Sequence, residues 1–207
     1  MPLFDALTAA LAPPLCAACG RSCRPEAVVC TRCARRLAAA EPLLGKGPPG
    51  LDRAWSSAAY EGVARDLVAA LKFRRLLPVA GLIADRIEWM APAHMLSGTI
   101  VPVPPAAMRL RRRGFDPTGE IAAALAARLD APLEPCLVRR GGGRQVGRRR
   151  AERIGNPPRI QTRCPAPRNV LLVDDVLTTG ATLSSCARAL RAAGAIRVVA
   201  VTFARRL

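Results

Sequence analysis

The residues best suited to chemistry lie in the segment 170–183, whose sequence is VLLVDDVLTTGATL. Two adjacent carboxylates, Asp174 and Asp175, follow four apolar residues and are suited to ribose hydroxyls or a magnesium ion. A short run of small and hydroxylated residues comes next, and it consists of Thr178, Thr179, Gly180, Ala181 and Thr182. Such a run, leading into a helix, offers backbone N–H groups and hydroxyls to a phosphate. The segment therefore predicts a binding site for a phosphorylated ligand.

Other phosphate-related motifs fit this segment less well. A P-loop requires a lysine before its Ser/Thr, and the segment contains none. Phosphatases of the Asp-x-Asp type have alternating carboxylates, whereas Asp174 and Asp175 are adjacent. An ordinary buried strand followed by a turn does not explain two carboxylates after four apolar residues. The segment resembles the phosphoribosyl pyrophosphate (PRPP) loop of type I phosphoribosyltransferases.

The elements that must position this segment predict an α/β fold. Residues 170–173 are short and apolar enough for a buried parallel strand that ends at the carboxylates. A helix from Leu183 to Leu190 and a strand at 195–203 follow, which implies a parallel crossover. Further strands are predicted at 54–60, 98–105 and 132–138, and further helices at 62–73, 78–90 and after Asp116-Pro117. Ligands bind at the carboxyl ends of strands in such sheets.

Four cysteines near the N-terminus predict a structural zinc site. Cys16 and Cys19 form one CxxC pair, Cys30 and Cys33 form another, and ten residues separate the pairs. Four thiolates at this spacing match a tetrahedral zinc site without an open coordination position. Two alternatives are that the thiols are reduced and buried without metal, and that Cys23 replaces one ligand in a shifted register.

The segment 41–50, EPLLGKGPPG, is rich in proline and glycine and predicts a linker. It divides the chain into a zinc-ribbon module with a helical start at 1–45 and a larger domain at 51–207. Because so short a module can hardly bury a core by itself, its fold should depend on the metal. Replacement of Cys30 by Ser is then expected to unfold the module and to leave the larger domain largely intact.

The chain is strongly basic, with 32 lysines and arginines, 15 acidic residues and a net charge of +17. This excess favours polyanionic partners such as pyrophosphate, phosphorylated substrates or nucleic acid. One basic stretch follows the strand at 98–105 and is predicted to be a loop, and a second lies within the glycine-rich segment 139–156. The arginines predicted to bind pyrophosphate or another polyanion are Arg109, Arg111, Arg112, Arg113, Arg144, Arg148, Arg149 and Arg150. The alternative is that both stretches are solvated charge runs.

The sequence also bears on location in the cell. No apolar run approaches the roughly 18 residues needed to span a bilayer. The first fifteen residues lack the basic region of a secretory signal. We therefore expect a cytoplasmic protein that does not insert into membranes, in which cysteine pairs are better explained by metal than by disulfides.

The order of motifs along nearly the whole chain resembles the ComF family of competence-associated, amidophosphoribosyltransferase-like proteins. The motifs are the two CxxC pairs, LKF at 71–73, IVPVP at 100–104, RRGF at 112–115, Arg144-Gln145, Glu152-Arg153 with Asn156, and the PRPP loop. One departure is Asp116-Pro117, where the family usually has Asn-Gln. An amide contact made at those positions in relatives is therefore not expected in this chain.

The resemblance implies a type I phosphoribosyltransferase-like parallel sheet with an N-terminal zinc ribbon. It further implies that Asp174 and Asp175 hold ribose hydroxyls, that Thr178 to Thr182 hold the 5-phosphate, and that magnesium binds the pyrophosphate of PRPP. It links the chain to natural transformation and to the uptake of single-stranded DNA. Two hypotheses stay open: a phosphoribosyltransferase with an unidentified acceptor, and a non-catalytic adaptor that handles single-stranded DNA together with DNA-uptake proteins.

Overall fold

A computed structural model describes residues 14–140 and 158–207 of the chain. Its α-helices are α1 (Thr31–Ala38), α2 (Gly62–Arg74), α3 (Pro78–Met90), α4 (Ala107–Arg113), α5 (Pro117–Leu129) and α6 (Ala181–Ala192). Its strands are β1 (Leu43–Gly45), β2 (Arg53–Ser56), β3 (Thr99–Pro102), β4 (Leu137–Arg140), β5 (Arg159–Thr162), β6 (Asn169–Leu177) and β7 (Arg197–Arg205). A single 3-10 turn, Ala93–Met95, precedes β3.

The main sheet has the strand order β1-β2-β7-β6-β3. The pairs β2–β7, β7–β6 and β6–β3 are parallel, and only the edge strand β1 is antiparallel to its neighbour. Helix α6 connects the parallel neighbours β6 and β7, as the strand–helix–strand pattern predicts. The predicted fold class, a mostly parallel sheet flanked by helices with an N-terminal four-cysteine cluster, is confirmed.

Both faces of the sheet are covered, because alternate residues of its strands enter two separate apolar clusters. On β6, Leu171 and Val173 pack into one cluster with helices α2, α3 and α5. Val170 and Leu172 pack into the other cluster with helix α6. This burial on two sides explains why the strand reads as a continuous apolar run rather than as an alternating pattern.

The N-terminal cysteine module packs against the larger domain. Cys16, Cys33 and Leu37 belong to the same buried cluster as Leu67 and Leu71 of α2. The guanidinium of Arg74, at the end of α2, donates a hydrogen bond to the carbonyl of Ala17. The predicted linker contributes strand β1, which pairs with β2 in the register Leu44 to Trp55. The module and the sheet therefore share one core.

The structure corrects three local predictions. The first basic stretch is a helix, α4, rather than a loop, because its seven residues, Ala107 to Arg113, are good helix formers and Gly114 ends the helix in a left-handed conformation. The predicted edge strand at 132–138 is reduced to a bridge between Leu133 and Ile100, and β4 begins only at Leu137 to pair with β5. The strand that carries the carboxylates continues beyond them to Leu177. Within the described ranges, none of the helices has the length and apolar composition required to cross a membrane.

Candidate functional site

The carboxylate pair lies on strand β6, just beyond the point where β6 stops pairing with its neighbour β3. Strand β6 continues through Asp174 and Asp175, but its pairing with β3 stops at Val173 opposite Pro102. The N–H of Val103 makes the last contact, 2.9 Å from the carbonyl of Val173. Prolines have no N–H to continue a ladder, and Pro104 and Pro105 follow directly. The proline-rich IVPVPP run thus opens the edge of the sheet beside the two carboxylates.

Asp175 is buried and ion-paired. Its Oδ2 atom lies 2.6 Å from the Nζ atom of Lys72, near the end of α2. The side chains are 10% and 19% exposed, respectively. A pair that is this little exposed to water has a definite geometry, and removal of one partner would leave a buried uncompensated charge.

Asp174 is partly buried and has different partners. Its Oδ1 atom accepts hydrogen bonds from the N–H of Asp175 at 2.9 Å and from the hydroxyl of Thr118 at 3.4 Å. Desolvation by burial, and then the negative charge of Asp175, raise the pKa of Asp174 to about 7. The Lys72 ammonium and the two hydrogen bonds act in the opposite direction. Asp174 therefore changes its charge near neutral pH.

The hydroxylated run is a tight connection between β6 and α6. Thr178 and Thr179 are exposed, and Gly180 is the N-cap residue of α6 with φ of +75°. Ala181 and Thr182 already belong to the first turn of the helix, which is earlier than the predicted start at Leu183. The first turn of a twelve-residue helix has N–H groups without intrahelical partners, and these N–H groups suit a phosphate.

Gly180 is in close contact with the linker as well. A Cβ atom added at Gly180 would lie 2.4 Å from Cγ of Pro48 and 2.8 Å from its Cβ. The glycine is required both by its left-handed backbone and by the proline packed against it. Segment 41–50 therefore covers one side of the loop that is predicted to bind phosphate.

Helix α4 presents arginines beside the carboxylates. Arg109, Arg111 and Arg112 are exposed, whereas Arg113 is partly buried. The guanidinium carbon of Arg113 lies 5.2 Å from the ring centroid of Phe73, the residue after Lys72. Burial, and then repulsion from Arg109, lower the pKa of Arg113, whereas attraction to Asp175 raises it. These arginines give the open edge of the sheet a positive potential.

The antiparallel pair of β4 and β5 contributes one further arginine. Burial lowers the pKa of Arg139, as does Arg109, while Asp174 and Cys186 act to raise it. Arg139 thus belongs electrostatically to the same site. The other arginines predicted in the second basic stretch, Arg144, Arg148, Arg149 and Arg150, lie outside the described residues.

The four predicted cysteine ligands converge. The sulfur atoms of Cys16, Cys19, Cys30 and Cys33 all lie within 4.8 Å of one another, and those of Cys19 and Cys30 are 3.8 Å apart. A tetrahedral zinc ion with Zn–S bonds of about 2.3 Å places its sulfurs about 3.8 Å apart. The cluster therefore has the dimensions and the ligand chemistry of a four-thiolate zinc site.

Backbone geometry supports this cluster. Gly20, with φ of +70°, closes the first knuckle through an N–H bond to the carbonyl of Cys16 at 2.9 Å. Burial acts to raise the pKa of the Cys16 thiol, but hydrogen bonds from the N–H groups of Cys19 and Cys30 help to lower it to about 6. Cys23 instead directs its thiol to the carbonyls of Pro14 and Ala27 at 3.4 and 3.3 Å. Cys23 is not part of the four-sulfur group.

The structure brings together residues that sequence patterns did not assign to the site. They are Lys72, Thr118, Arg139 and Pro48. Two of them carried a signal in the sequence: Lys72 stands in the LKF motif and is one of two lysines of the chain, and Arg139 opens the basic segment 139–156. Thr118 and Pro48 are ordinary residues in a helix N-terminus and a linker, and only tertiary contact gives them a place in the site.

Residues 112–207 match a family model described as "Phosphoribosyl transferase domain". The match includes the carboxylate pair and the loop before α6, and it spans slightly less than half of the chain. The C-terminal part is thus of phosphoribosyltransferase type, which supports the prediction of such an enzyme and leaves its acceptor open. No curated protein is similar enough to the chain to count as a match.

Three solved structures resemble the chain over part of its length. The first, an allosteric regulatory enzyme of purine biosynthesis, has 19% identity and a TM-score of 0.39 over 59% of this chain and 24% of its own. Glutamine PRPP amidotransferase from B. subtilis has 21% identity and a TM-score of 0.39 over 64% and 26%. Orotate phosphoribosyltransferase from Aeropyrum pernix has 24% identity and a TM-score of 0.37 over 62% and 63%. The chain spans about a quarter of the length of the first two.

Proposed function

We propose that the chain is a phosphoribosyltransferase that binds PRPP with magnesium at the open edge of the main sheet. The observation that carries the proposal is the succession of Asp174, Asp175 and the Gly180-capped start of α6 within one continuous strand–turn–helix. Carboxylates and a helix N-terminus held at this spacing are suited to the ribose hydroxyls and the 5-phosphate, respectively. The match of residues 112–207 to the phosphoribosyl transferase domain supports the same assignment.

The chemistry at this site would be displacement of pyrophosphate from the anomeric carbon. Such a step needs stabilisation of charge and exclusion of water rather than a covalent nucleophile. Asp174 and Asp175 would hold the sugar, and Thr178 to Thr182 would hold its phosphate. Magnesium, when bound with PRPP, would neutralise part of the pyrophosphate charge. Arginines of α4 and of segment 139–156 would neutralise the remainder as it leaves.

Membership of the ComF family is part of this proposal. The motif order that supports it includes LKF, IVPVP and RRGF. Lys72 of the first motif contacts Asp175, Pro102 of the second pairs with Val173 just before the carboxylates, and Arg113 of the third interacts electrostatically with Asp175. A role in natural transformation, with single-stranded DNA and DNA-uptake proteins as partners, follows from the family resemblance, and a cytoplasmic location is proposed beside it. The four-cysteine cluster is proposed to hold a structural zinc ion.

Calorimetric titration with PRPP in the presence of magnesium tests the proposal. We expect saturable binding by the parent protein and strongly reduced binding by Asp174→Asn. Asp130→Asn is the matched control, because Asp130 ends α5 in a left-handed conformation that asparagine also tolerates. A screen of nitrogenous acceptors for release of pyrophosphate follows. If the parent protein does not bind PRPP, the enzymatic proposal fails.

A second candidate, the nucleic-acid-handling adaptor, is favoured by one specific observation. Helix α4 exposes Arg109, Arg111 and Arg112 and contains no acidic residue. Such a surface attracts phosphodiester backbones without reading sequence. The two candidates are separated by competition, because an enzyme site should release bound single-stranded DNA when PRPP and magnesium fill it.

A further inference from the structure

Lys72 enters the site from outside the strand–turn–helix segment. It lies in the last turns of α2, and its ammonium contacts Asp175 at 2.6 Å with only 19% of the side chain exposed. The next residue, Phe73, is largely exposed and carries the guanidinium of Arg113 above its ring. Lys72 therefore points inward to the carboxylates, while its neighbour faces the solvent beside the arginine helix.

The backbone of Lys72 is firmly held. Leu67 and Leu71 on the same helix are buried in the core cluster. Arg74 anchors the end of the helix to the carbonyl of Ala17, between two of the cysteine ligands. Arg75 follows in a left-handed conformation that ends the helix. The position of the ammonium is thus set by the core and by the cysteine module rather than by a loop.

The carboxylate pair needs a nearby cation. Asp174 and Asp175 are consecutive, and the N–H of Asp175 already contacts Oδ1 of Asp174. Two carboxylates in one partly dehydrated site oppose each other's ionisation. A ribose hydroxyl donates its hydrogen bond most strongly to an ionised carboxylate. A site built on two such groups therefore depends on a fixed positive charge that favours the ionised form of Asp174.

We propose that Lys72 is a positioning residue that holds Asp175 in place and, through its charge, favours the ionised form of Asp174 for the ribose hydroxyls of PRPP. The proposal rests on the proposed function and adds to it a residue outside the matched domain. Lys72 bonds to Oδ2 of Asp175, so that Oδ1 is the atom left for a ribose hydroxyl. It acts through the carboxylates and does not itself contact the sugar.

The charged and titratable groups around Asp174 support the assignment to Lys72. On its own strand it faces Asp175, whose charge raises the pKa of Asp174. From α2 it faces Lys72, whose charge lowers that pKa. From β4 and α6 it faces Arg139 and Cys186, which interact with it electrostatically. Thr118 of α5 adds a neutral hydroxyl. Among residues 14–140 and 158–207, Lys72 is the cation that contacts the pair directly, through Asp175.

The test has one arm without PRPP and one arm with it. In the first, the carboxyl carbon of Asp174 is titrated by NMR in the parent, in Lys72→Met and in Lys72→Arg. Lys46→Met is the control, because Lys46 is the other lysine of the chain and is exposed. We expect Lys72→Met to raise the midpoint by about one pH unit, Lys72→Arg to restore most of the shift, and Lys46→Met to change nothing.

In the second arm, PRPP affinity with magnesium is measured from pH 5.5 to about 9. Lys72→Met should weaken affinity about tenfold near pH 7 and recover part of it at alkaline pH, where Asp174 ionises without help. If the single variant fails to fold, Lys72→Met combined with Asp175→Asn removes both charges of the buried pair and is expected to fold. Its Asp174 midpoint should return to within about half a unit of the parent value.

The outcomes separate the two proposals. An Asp174 midpoint that Lys72→Met leaves unchanged would overturn the positioning role, whatever PRPP does. A charge-preserving Lys72→Arg that behaves like Lys72→Met would overturn it as well, because the role would then be steric. A parent protein that does not bind PRPP would overturn the proposed function, while the NMR arm would still decide whether Lys72 favours the ionised form of Asp174.

Discussion

The fold raises the pKa of Asp174, and this change links the protonation of one residue to the stability of the protein. Burial and the charge of Asp175 raise its pKa from 3.8 to about 7. A carboxyl group whose folded pKa is raised stabilises the folded state at low pH, and that stabilisation is lost as pH rises towards the folded pKa. Ionisation of Asp174 in the native site therefore lowers the free energy of unfolding at neutral pH.

Asp174→Asn removes the ionisable group and should restore the stability that ionisation of Asp174 takes away. The unfolding free energy of the variant relative to the parent is expected to rise between pH 4 and 7 and to level off above about pH 8, with a total change on the order of 4 kcal/mol. Urea unfolding at a series of pH values measures the difference. A constant difference across that range would show that Asp174 titrates normally.

We expect affinity for PRPP to depend on the same two residues, Asp174 and Asp175. Asp174→Asn combined with Asp175→Asn keeps the shapes of both side chains and removes their charges. Charge-assisted hydrogen bonds contribute roughly 1.5–3 kcal/mol each, so PRPP affinity should fall by about 10²-fold or more. Calorimetry with magnesium present provides the measurement. Undiminished binding would make the loop a structural feature and would favour the adaptor function.

Substitution of Gly180 tests whether the loop between β6 and α6 binds phosphate. Gly180→Val would combine an unfavourable left-handed backbone with a collision against Pro48, so it should destabilise the fold and weaken binding of ribose 5-phosphate. Gly194→Val is the matched control, since Gly194 has φ of +106° but no atom within 4 Å of an added Cβ. Ribose 5-phosphate titrations of the two variants separate the effect on the site from the backbone cost. Equal affinities would remove Gly180 from the phosphate site.

At the scale of elements, helix α4 shows how a basic stretch becomes an ordered surface. Its arginines have a high helix propensity, and the exposed ones lie on a helix too short to bury a face of its own. Packing instead comes from its last residue, Arg113, over Phe73. The element thus presents arginines in fixed directions beside the carboxylates.

A salt-dependence experiment tests this surface. Replacement of Arg109, Arg111 and Arg112 by Ala should reduce the slope of log affinity for single-stranded DNA against log salt by about 2, from three phosphate contacts. Replacement of Arg32, Arg35 and Arg36 in α1 makes the same change of charge elsewhere and is the control. Replacement of Arg148, Arg149 and Arg150 tests the second basic stretch in the same way. Equal slopes for the α1 and α4 variants would exclude α4 from the interface.

The sequence predicted elements well where local chemistry determines them. Asp116-Pro117 was predicted to begin a helix, and Asp116 does accept a hydrogen bond from the N–H of Thr118 at 3.1 Å. The end of β6 was predicted too early, because two carboxylates read as the end of a buried strand. Lys72 and Asp175 lie far apart in the sequence, and no local pattern encodes their pairing. The site was therefore predictable in its local segment and not in its long-range partners.

At the scale of the whole molecule, the cysteine module and the sheet are joined by a common core. Cys16, Cys33 and Leu37 pack with Leu67 and Leu71, and Arg74 adds a hydrogen bond to Ala17. This arrangement argues against independent folding of the two parts. We therefore expect loss of zinc to destabilise the larger domain as well, rather than to leave it intact.

Removal of zinc should therefore destabilise the entire chain. We expect Cys30→Ser, or treatment with a chelator, to lower the thermal midpoint of the sheet along with that of the module, because metal binding contributes to folding. Far-UV circular dichroism reports the sheet and helices together, and elemental analysis should find about one zinc per parent chain. Cys23→Ser is the control. A thermal midpoint that is unchanged in Cys30→Ser would show that the two parts unfold separately.

Pro48 belongs to the segment that leaves the cysteine module, yet it packs against the residue that begins helix α6. This contact matters when segments of two homologous proteins are joined in one chimeric chain. A hybrid joined at residue 51 would take strands β2 to β7 from one parent, and strand β1 with the cover of its phosphate loop from the other. The shape of that loop would then be inherited with the cysteine module, so a hybrid with both parental folds intact could still bind phosphate poorly.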